Sequence, residues 1–188
     1  MMTLSPRPGA DDEMRDLLIG AIPALRAFAY TLTYDLDRSD DLVQDTLVRA
    51  WTKADSFQRG TNLTAWLFTI LRNLFYSEQR KRKREVEDAD GIHAGRLTSL
   101  PDQEARLELR EFRVALDALP LSQREALVLV GAQNFTYEEA AAISGVAVGT
   151  VKSRVSRARS RLIMELGMTG SDDIGADALT RAALDATA

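Results

Sequence analysis

Residues 136 to 162, TYEEAAAISGVAVGTVKSRVSRARSRL, constrain the fold more than any other stretch of the chain. Thr136 and Glu139 have capping-box spacing, so a helix is predicted to open there with its first amides satisfied. Gly145 stops it. Ala141, four residues earlier, is small enough for a second helix to cross closely, and Val146, Val148 and Val151 supply the apolar contacts that lock the pair. The second helix, residues 148 to 164, holds five Lys or Arg and no carboxylate. Placed about 100° apart, its residues separate into two faces. Val148, Val151, Val155, Ala158 and Leu162 form a stripe that must be buried. Gly149, Ser153, Ser156, Arg157 and Ser160 lie opposite, and such small side chains let a backbone sink into the major groove, where hydroxyls and an Arg meet base edges. Lys152, Arg154, Arg159 and Arg161 flank that face at positions suited to phosphates. The pattern is that of a helix-turn-helix. A solvated basic helix on an ordinary bundle is the plainer alternative, but it does not account for the capped short helix and the turn.

The formal charge of the whole 188-residue chain is −4, yet its cations are concentrated. Residues 57 to 84 hold seven Lys or Arg against one Glu. An acidic body with two basic segments implies DNA contact confined to two surfaces, with salt-sensitive affinity. No cysteine is present, which excludes disulfides and thiolate chemistry and removes the usual zinc ligands. The N-terminal MMTLSPRPGADDEM lacks the apolar core of a signal peptide and no run approaches a membrane span, so a cytoplasmic protein is expected. His93, the single histidine, lies in a polar segment without catalytic neighbours. No phosphate loop, nucleophile motif or His pair appears, and the expectation is no enzyme, no cofactor, no metal and no small-molecule substrate.

Apolar spacing predicts a helix over residues 13 to 34, with Leu17, Leu18, Ile22, Leu25, Phe28, Ala29 and Leu32 inward and a kink at Pro23. A second is predicted to start at Ser39 as its cap, with Asp40 and Asp41 in the first turn and Val43, Leu47, Ala50, Trp51 and Ala54 inward. After a polar break at residues 58 to 62, a third runs from Leu63 to Arg84. Its core stripe is Leu63, Trp66, Leu67, Ile70, Leu71 and Leu74. Phe68, Arg72, Tyr76, Gln79 and Lys83 form an aromatic and basic side suited to bases and phosphates, unless Phe68 and Tyr76 pack under the first helix. Residues 85 to 101 read as a linker. A helix over residues 102 to 119 ends at Pro120, and Ser122 with Glu125 has the spacing of another capping box. The acidic, Ala-rich tail from Gly167 carries no readable role. No strand pattern appears, so the fold is expected to be all-α: one domain over residues 11 to 84 and a second over residues 102 to 166, joined by a flexible acidic linker.

In this order the segments resemble the RNA polymerase sigma factors of the sigma-70 family, and among them the extracytoplasmic-function type, which keeps regions two and four. DDLVQDTLVRAW (residues 40 to 51) resembles the region-two helix that docks on core polymerase. TAWLFTILRNLFYSEQRKRKRE (residues 64 to 85) resembles the helix that opens and reads the minus-ten element, and QREALVLV with the helix-turn-helix resembles region four, which binds the minus-35 element. FQRGTNLTAWLFTILRNLFYSE, REVEDADG and REALVLVGAQNFTYEEAAA further resemble the general stress response subgroup of alphaproteobacteria. Ala147 stands where the family often has Pro.

The resemblance implies a specificity subunit whose partners are core RNA polymerase, promoter DNA and a small helical anti-sigma factor, the last removed when a response regulator with a sigma-like decoy domain captures it. It implies polymerase binding by Asp40, Asp41, Leu42, Gln44, Asp45 and Arg49, while Val43, Leu47 and Trp51 hold the domain together. Gln58, Arg59, Gly60, Thr61, Asn62 and Leu63 are expected to capture a flipped minus-ten base, and Arg72, Asn73, Tyr76, Gln79, Arg80 and Lys81 to follow the adjacent strand. The minus-35 contacts fall to Gly149, Thr150, Lys152, Ser153, Arg154, Ser156, Arg157, Arg159, Ser160 and Arg161. A self-standing regulator needs a dimerisation surface to pair half-sites, and none is evident. A sigma-mimicking decoy should have lost cations from a DNA surface, and both are intact.

Overall fold

The computed structural model describes residues 10–58, 60–87 and 112–167, and all regular structure among them is helical. Helix α1 (Ala10–Thr33) runs through Pro23 as one element. Tyr34, at φ 53°, turns the chain into α2 (Leu36–Thr52), and a short 3₁₀ turn (Ala54–Ser56) leads toward α3 (Leu63–Glu87). Residues 112–117 form the described part of α4, followed by α5 (Leu121–Gly131), α6 (Tyr137–Ser144) and α7 (Val148–Leu166). Residues 102 to 111 of the helix expected over residues 102 to 119, most of the linker, His93 and the tail beyond Gly167 lie outside the described residues.

Helices α1, α2 and α3 pack into one bundle, and α5, α6 and α7 into a second. The two bundles touch, since α3 lies against α6 and α1 against α5. Phe68 of α3 is the joint. Its fully buried ring stacks on Phe28 of α1 at 4.9 Å between centroids and meets Phe135, before α6, edge-on at 5.0 Å. Removing each such ring from water stabilises by about 1.5–3 kcal/mol, and Phe68 serves both bundles at once. That double use corrects the expected stripe on α3. The fully buried positions are Leu67, Phe68, Leu71 and Phe75, whereas Leu63, Trp66, Ile70 and Leu74 are half-buried, because α3 is covered from two sides rather than one.

Two helix starts differ from expectation for local reasons. Helix α2 opens three residues before Ser39, where the Asp35 carboxylate accepts from the Arg38 amide at 3.1 Å. Asp35 offers the same capping chemistry as Ser39 and comes first. Ser39 is buried instead, with its hydroxyl 2.6 Å from the Asp35 carbonyl. Helix α5 opens behind Pro120 without a side-chain cap, so Ser122 and Glu125 form no capping box, and Glu125 faces the first bundle. In the helix-turn-helix the expected devices are present: Thr136 and Glu139 form the reciprocal capping box, and Gly145 ends α6 at φ 65°.

Candidate nucleic-acid interface

Helix α7 presents an open cationic face. Val151, Val155, Ala158 and Leu162 are buried, with Val148 half-buried at the rim. Gly149, Lys152, Ser156, Arg157, Ser160 and Arg161 are exposed on the other side. Thr150, Ser153, Arg154 and Arg159 are half-buried along the edges. The helix begins at Val148 behind Ala147 without a side-chain cap. Its outer face therefore combines small residues in the first turns with the projecting guanidinium of Arg157 farther along, the composition that suits a groove and its phosphates.

The basic face of α3 is arranged differently. Asn73, Gln79, Arg80 and Lys81 are exposed. Arg72 and Tyr76 are drawn together, with the guanidinium 4.5 Å above the phenol ring, and both reach across to Glu125 of α5. Arg72 Nε donates to Glu125 Oε1 as an ion pair, Tyr76 donates its hydroxyl to Oε2 at 2.8 Å, and Ser144 of α6 lies 3.3 Å from Oε1. Glu125 is only 1 % exposed. Burial, reinforced by the Glu125 charge, pushes the Tyr76 phenol up to about 12, which keeps its proton available for donation, while Arg72 and Arg154 pull the other way. The flank of α7 thus also acts on this cluster.

The loop before α3 is bridged as well. Gly60 takes φ 89°, a conformation that side chains rarely adopt, and Thr61 donates to the Gln58 carbonyl at 2.7 Å. Asn62 Oδ1 accepts from the Ala65 amide at 3.2 Å, while Nδ2 donates to Glu139 of α6 at 2.8 Å. That bond and those from Thr136 hold the Glu139 carboxyl below its ordinary range. Gln58 is exposed, Leu63 is half-buried against the core, and Arg59 lies outside the described residues.

On α2, Asp40, Asp41, Gln44, Asp45 and Arg49 are exposed on one side, with Asp40 paired to Arg26 of α1 at 2.6 Å. Two expectations are corrected. Leu42 is 2 % exposed and lies with Val43, Thr46 and Ala50 on the buried stripe, so it packs in the core and not on the exposed side with the acids. Trp51 is 51 % exposed, not core, and Val48 is similarly open. Helical spacing places these two beside Leu47 on the edge facing α1, where a shallow apolar groove of about 340 Å³ runs between Leu18, Ile19, Ile22, Leu47, Val48 and Trp51.

Sequence reasoning gave no residue a role in joining the two bundles, and Glu125 was expected only as part of a capping box. Besides Glu125 the joining residues are Arg113, which donates to the Tyr30 hydroxyl, and Arg124, which lies 4.3 Å over the Tyr34 ring and 3.3 Å from Asp117. One sign was legible: Glu125 shares a helical stripe with Val128, Leu129 and Ala132, where an acid must find partners inside.

Comparison with known proteins agrees with this geometry. Residues 13–85 match the family model for Sigma-70 region 2, and residues 109–162 that for Sigma-70, region 4. The ECF RNA polymerase sigma factor EcfG of Rhodopseudomonas palustris (strain TIE-1) is 61% identical over 173 residues, which cover 92% of this chain and 96% of that protein. The sigma factor RpoE from Bartonella quintana, solved in complex with the anti-sigma factor NepR, superposes with a TM-score of 0.77 at 53% identity, covering 84% of this chain and 99% of that one. CnrH, solved with the cytosolic domain of CnrY, gives a TM-score of 0.58 at 27% identity over 87% of this chain and 92% of its own. With both domain models matched in order and a relative this similar along nearly its whole length, the chain belongs to the extracytoplasmic-function RNA polymerase sigma factors.

Proposed function

We propose that this sigma factor directs core RNA polymerase to general stress response promoters through the three surfaces described above. The carrying observation is that two basic helical surfaces stand on two separate bundles, α3 on the first and α7 on the second, so that a minus-ten and a minus-35 element are gripped at once. Either grip alone is weak. Joined by a chain segment, the second contact forms at high effective concentration, which raises the affinity of the whole without new contacts. Domain limits of residues 11 to 84 and 102 to 166 divide these duties.

In this reading α7 lies in the major groove at the minus-35 element, with Arg157 and the serines toward base edges and Lys152, Arg159 and Arg161 toward phosphates. The loop at residues 58 to 62 takes a base flipped from the minus-ten strand, and Arg72, Tyr76, Gln79 and Arg80 follow the strand beyond it. Polymerase docks on the exposed acids of α2 and on the apolar groove that Val48 and Trp51 open beside them, because an aromatic anchor rimmed by charge is a strong interface element. The protein contributes recognition and leaves the chemistry to polymerase, and it works in the cytoplasm. No described helix is long and apolar enough to cross a membrane. The complex of its Bartonella relative with NepR supports control by a small helical anti-sigma factor.

Reconstituted transcription tests this directly. Purified chain added to sigma-free core polymerase on a genomic fragment library should produce discrete start sites. A library without initiation above the core-only background overturns the reading.

A further inference from the structure

We propose that Tyr137 is a positioning residue for minus-35 binding: its ring fixes the Lys152 ammonium at the mouth of a cleft between α6 and α7, where Lys152 and Arg159 hold one backbone phosphate. The proposal deepens the reading of α7 as the minus-35 surface and rests on it. Two observations carry it. Lys152 Nζ lies over the face of the Tyr137 ring, 5.6 Å from its centroid. Beside this pair a cleft of about 250 Å³ is lined by the ring, Lys152, Ser156, Arg159 and Ser160, and no carboxylate lines it.

Local rules set the ring and the ammonium side by side. Tyr137 is the first residue of α6, where the Thr136–Glu139 box fixes the opening turn, and Gly145 sets the turn toward α7. Lys152, Ser156, Arg159 and Ile163 recur at i, i+4, i+7 and i+11, the spacing of one helical side, and that side shares the cleft with Tyr137. A lysine is otherwise a point charge on a flexible stem, and ordering it on a phosphate costs rotamer freedom at the moment of binding. An aromatic face attracts the ammonium without consuming any of its three N–H donors, so the charge is placed in advance and stays free to bond. A carboxylate would place it too, but would neutralise it. The rest of the cleft suits an anion. Arg159 is half-buried, and its Nε has no hydrogen-bond partner among the described residues, although a buried N–H is ordinarily paired. A small turn of the guanidinium lets a phosphate oxygen supply that bond, and phosphates are the anions that flank a helix seated in a groove.

Two measurements on the full-length chain test this. In NMR spectra the ε-methylene protons of Lys152 should be moved upfield by the Tyr137 ring, keep that shift in Tyr137→Phe and return to the ordinary lysine position in Tyr137→Leu. An ordinary position in the unaltered chain overturns the placement without need of any variant. Binding to a short duplex of random sequence, followed by fluorescence anisotropy across a salt series, reads what the pair does. Random sequence suffices because phosphate contacts do not depend on base order. Lys152→Ala and Arg159→Gln should each lower the salt slope by about one. Tyr137→Leu should weaken binding about two- to fivefold, the range for a cation–π contact at an exposed site, and Tyr137→Phe should bind like the parent. On top of Lys152→Ala, Tyr137→Leu should have no further effect. An equal loss with and without Lys152 means that leucine merely loosens α6 against α7, and overturns the positioning role. A loss in Tyr137→Phe assigns the effect to the hydroxyl and overturns it as well. An unchanged slope in Arg159→Gln overturns the cleft as the seat of the phosphate. If Lys152→Ala leaves affinity and slope unchanged, the reading of α7 itself has failed; if it weakens binding while Tyr137→Leu does not, that reading stands and the proposal falls.

Discussion

Helices α3 and α7 carry related chemistry, cations set among residues that can approach bases, but the folded chain treats them differently. On α7 the small and basic residues opposite Val151, Val155 and Leu162 face solvent, whereas on α3 the central pair Arg72 and Tyr76 is drawn inward by Glu125. The difference follows from how many sides of each helix are covered. Among the described residues helix α7 packs chiefly on α5 and α6, so one stripe suffices. Helix α3 meets α1 and α2 on one side and α6 on another, and its basic edge is thereby brought against a second bundle. Composition alone does not determine whether a cationic helix is available. The number of neighbours it must satisfy decides that.

The largest effect should come from the joint itself. Phe68→Ala removes a ring that stacks on Phe28 and meets Phe135, and large-to-small changes of this kind cost about 3–5 kcal/mol. Thermal unfolding followed by circular dichroism should show a large fall in Tm and separate transitions for the two bundles. A melt that stays as cooperative as that of the parent chain breaks the idea that Phe68 couples them. Arg157→Ala comes next. Because Arg157 is exposed on the open helix, its loss should leave fold and polymerase binding intact but remove a contact worth about 1–3 kcal/mol per base pair read. Run-off transcription from a cognate promoter should then fall by roughly one to two orders of magnitude. Unchanged transcript would shift base reading away from the exposed stripe of α7. A smaller effect is expected at Gly145→Ala, since φ 65° costs an L-residue about 1–2 kcal/mol, lowering Tm by a few degrees and loosening the angle between α6 and α7.

How much of this was legible in the sequence depended on the range of the interactions involved. The helix-turn-helix was, because the Thr136–Glu139 box, Gly145 and the Val151 to Leu162 stripe are local rules that neighbouring residues enforce. The start of α2 was misplaced because Asp35 and Ser39 are both adequate caps, and only the turn at Tyr34 decides between them. Trp51 was misplaced because apolar spacing finds a stripe without saying where its edge falls; it stands on the edge, whereas Leu42, set on the exposed side by the resemblance, lies in the centre of the stripe. The Glu125 cluster was out of reach. It joins residues 53 and 49 positions apart along the chain, and no periodicity carries information over such a span. The one local hint, an acid on the apolar stripe of α5, indicates a need for partners but not which ones.

The gentlest way to sharpen the contrast is acid. Glu139 caps α6 and accepts from Asn62 of the loop before α3, and these bonds hold its carboxyl below the ordinary value of 4.5. A group whose pKa is lowered by folding contributes stability that is complete above its unfolded value and is lost as pH falls through the folded one. Glu139 should therefore be silent between neutrality and the ordinary glutamate range, and weaken both the cap and the contact with α3 below it. Glutamine at this position can still accept from Asn62 and the Thr136 amide but carries no titration. The Tm difference between the parent chain and Glu139→Gln should accordingly be constant near neutrality and shrink on acidification. Because the side chain is largely solvated, the change should be the smallest of the four. A difference that stays flat to the bottom of the pH series means that the Asn62–Glu139 bond adds nothing to the contact between α3 and α6.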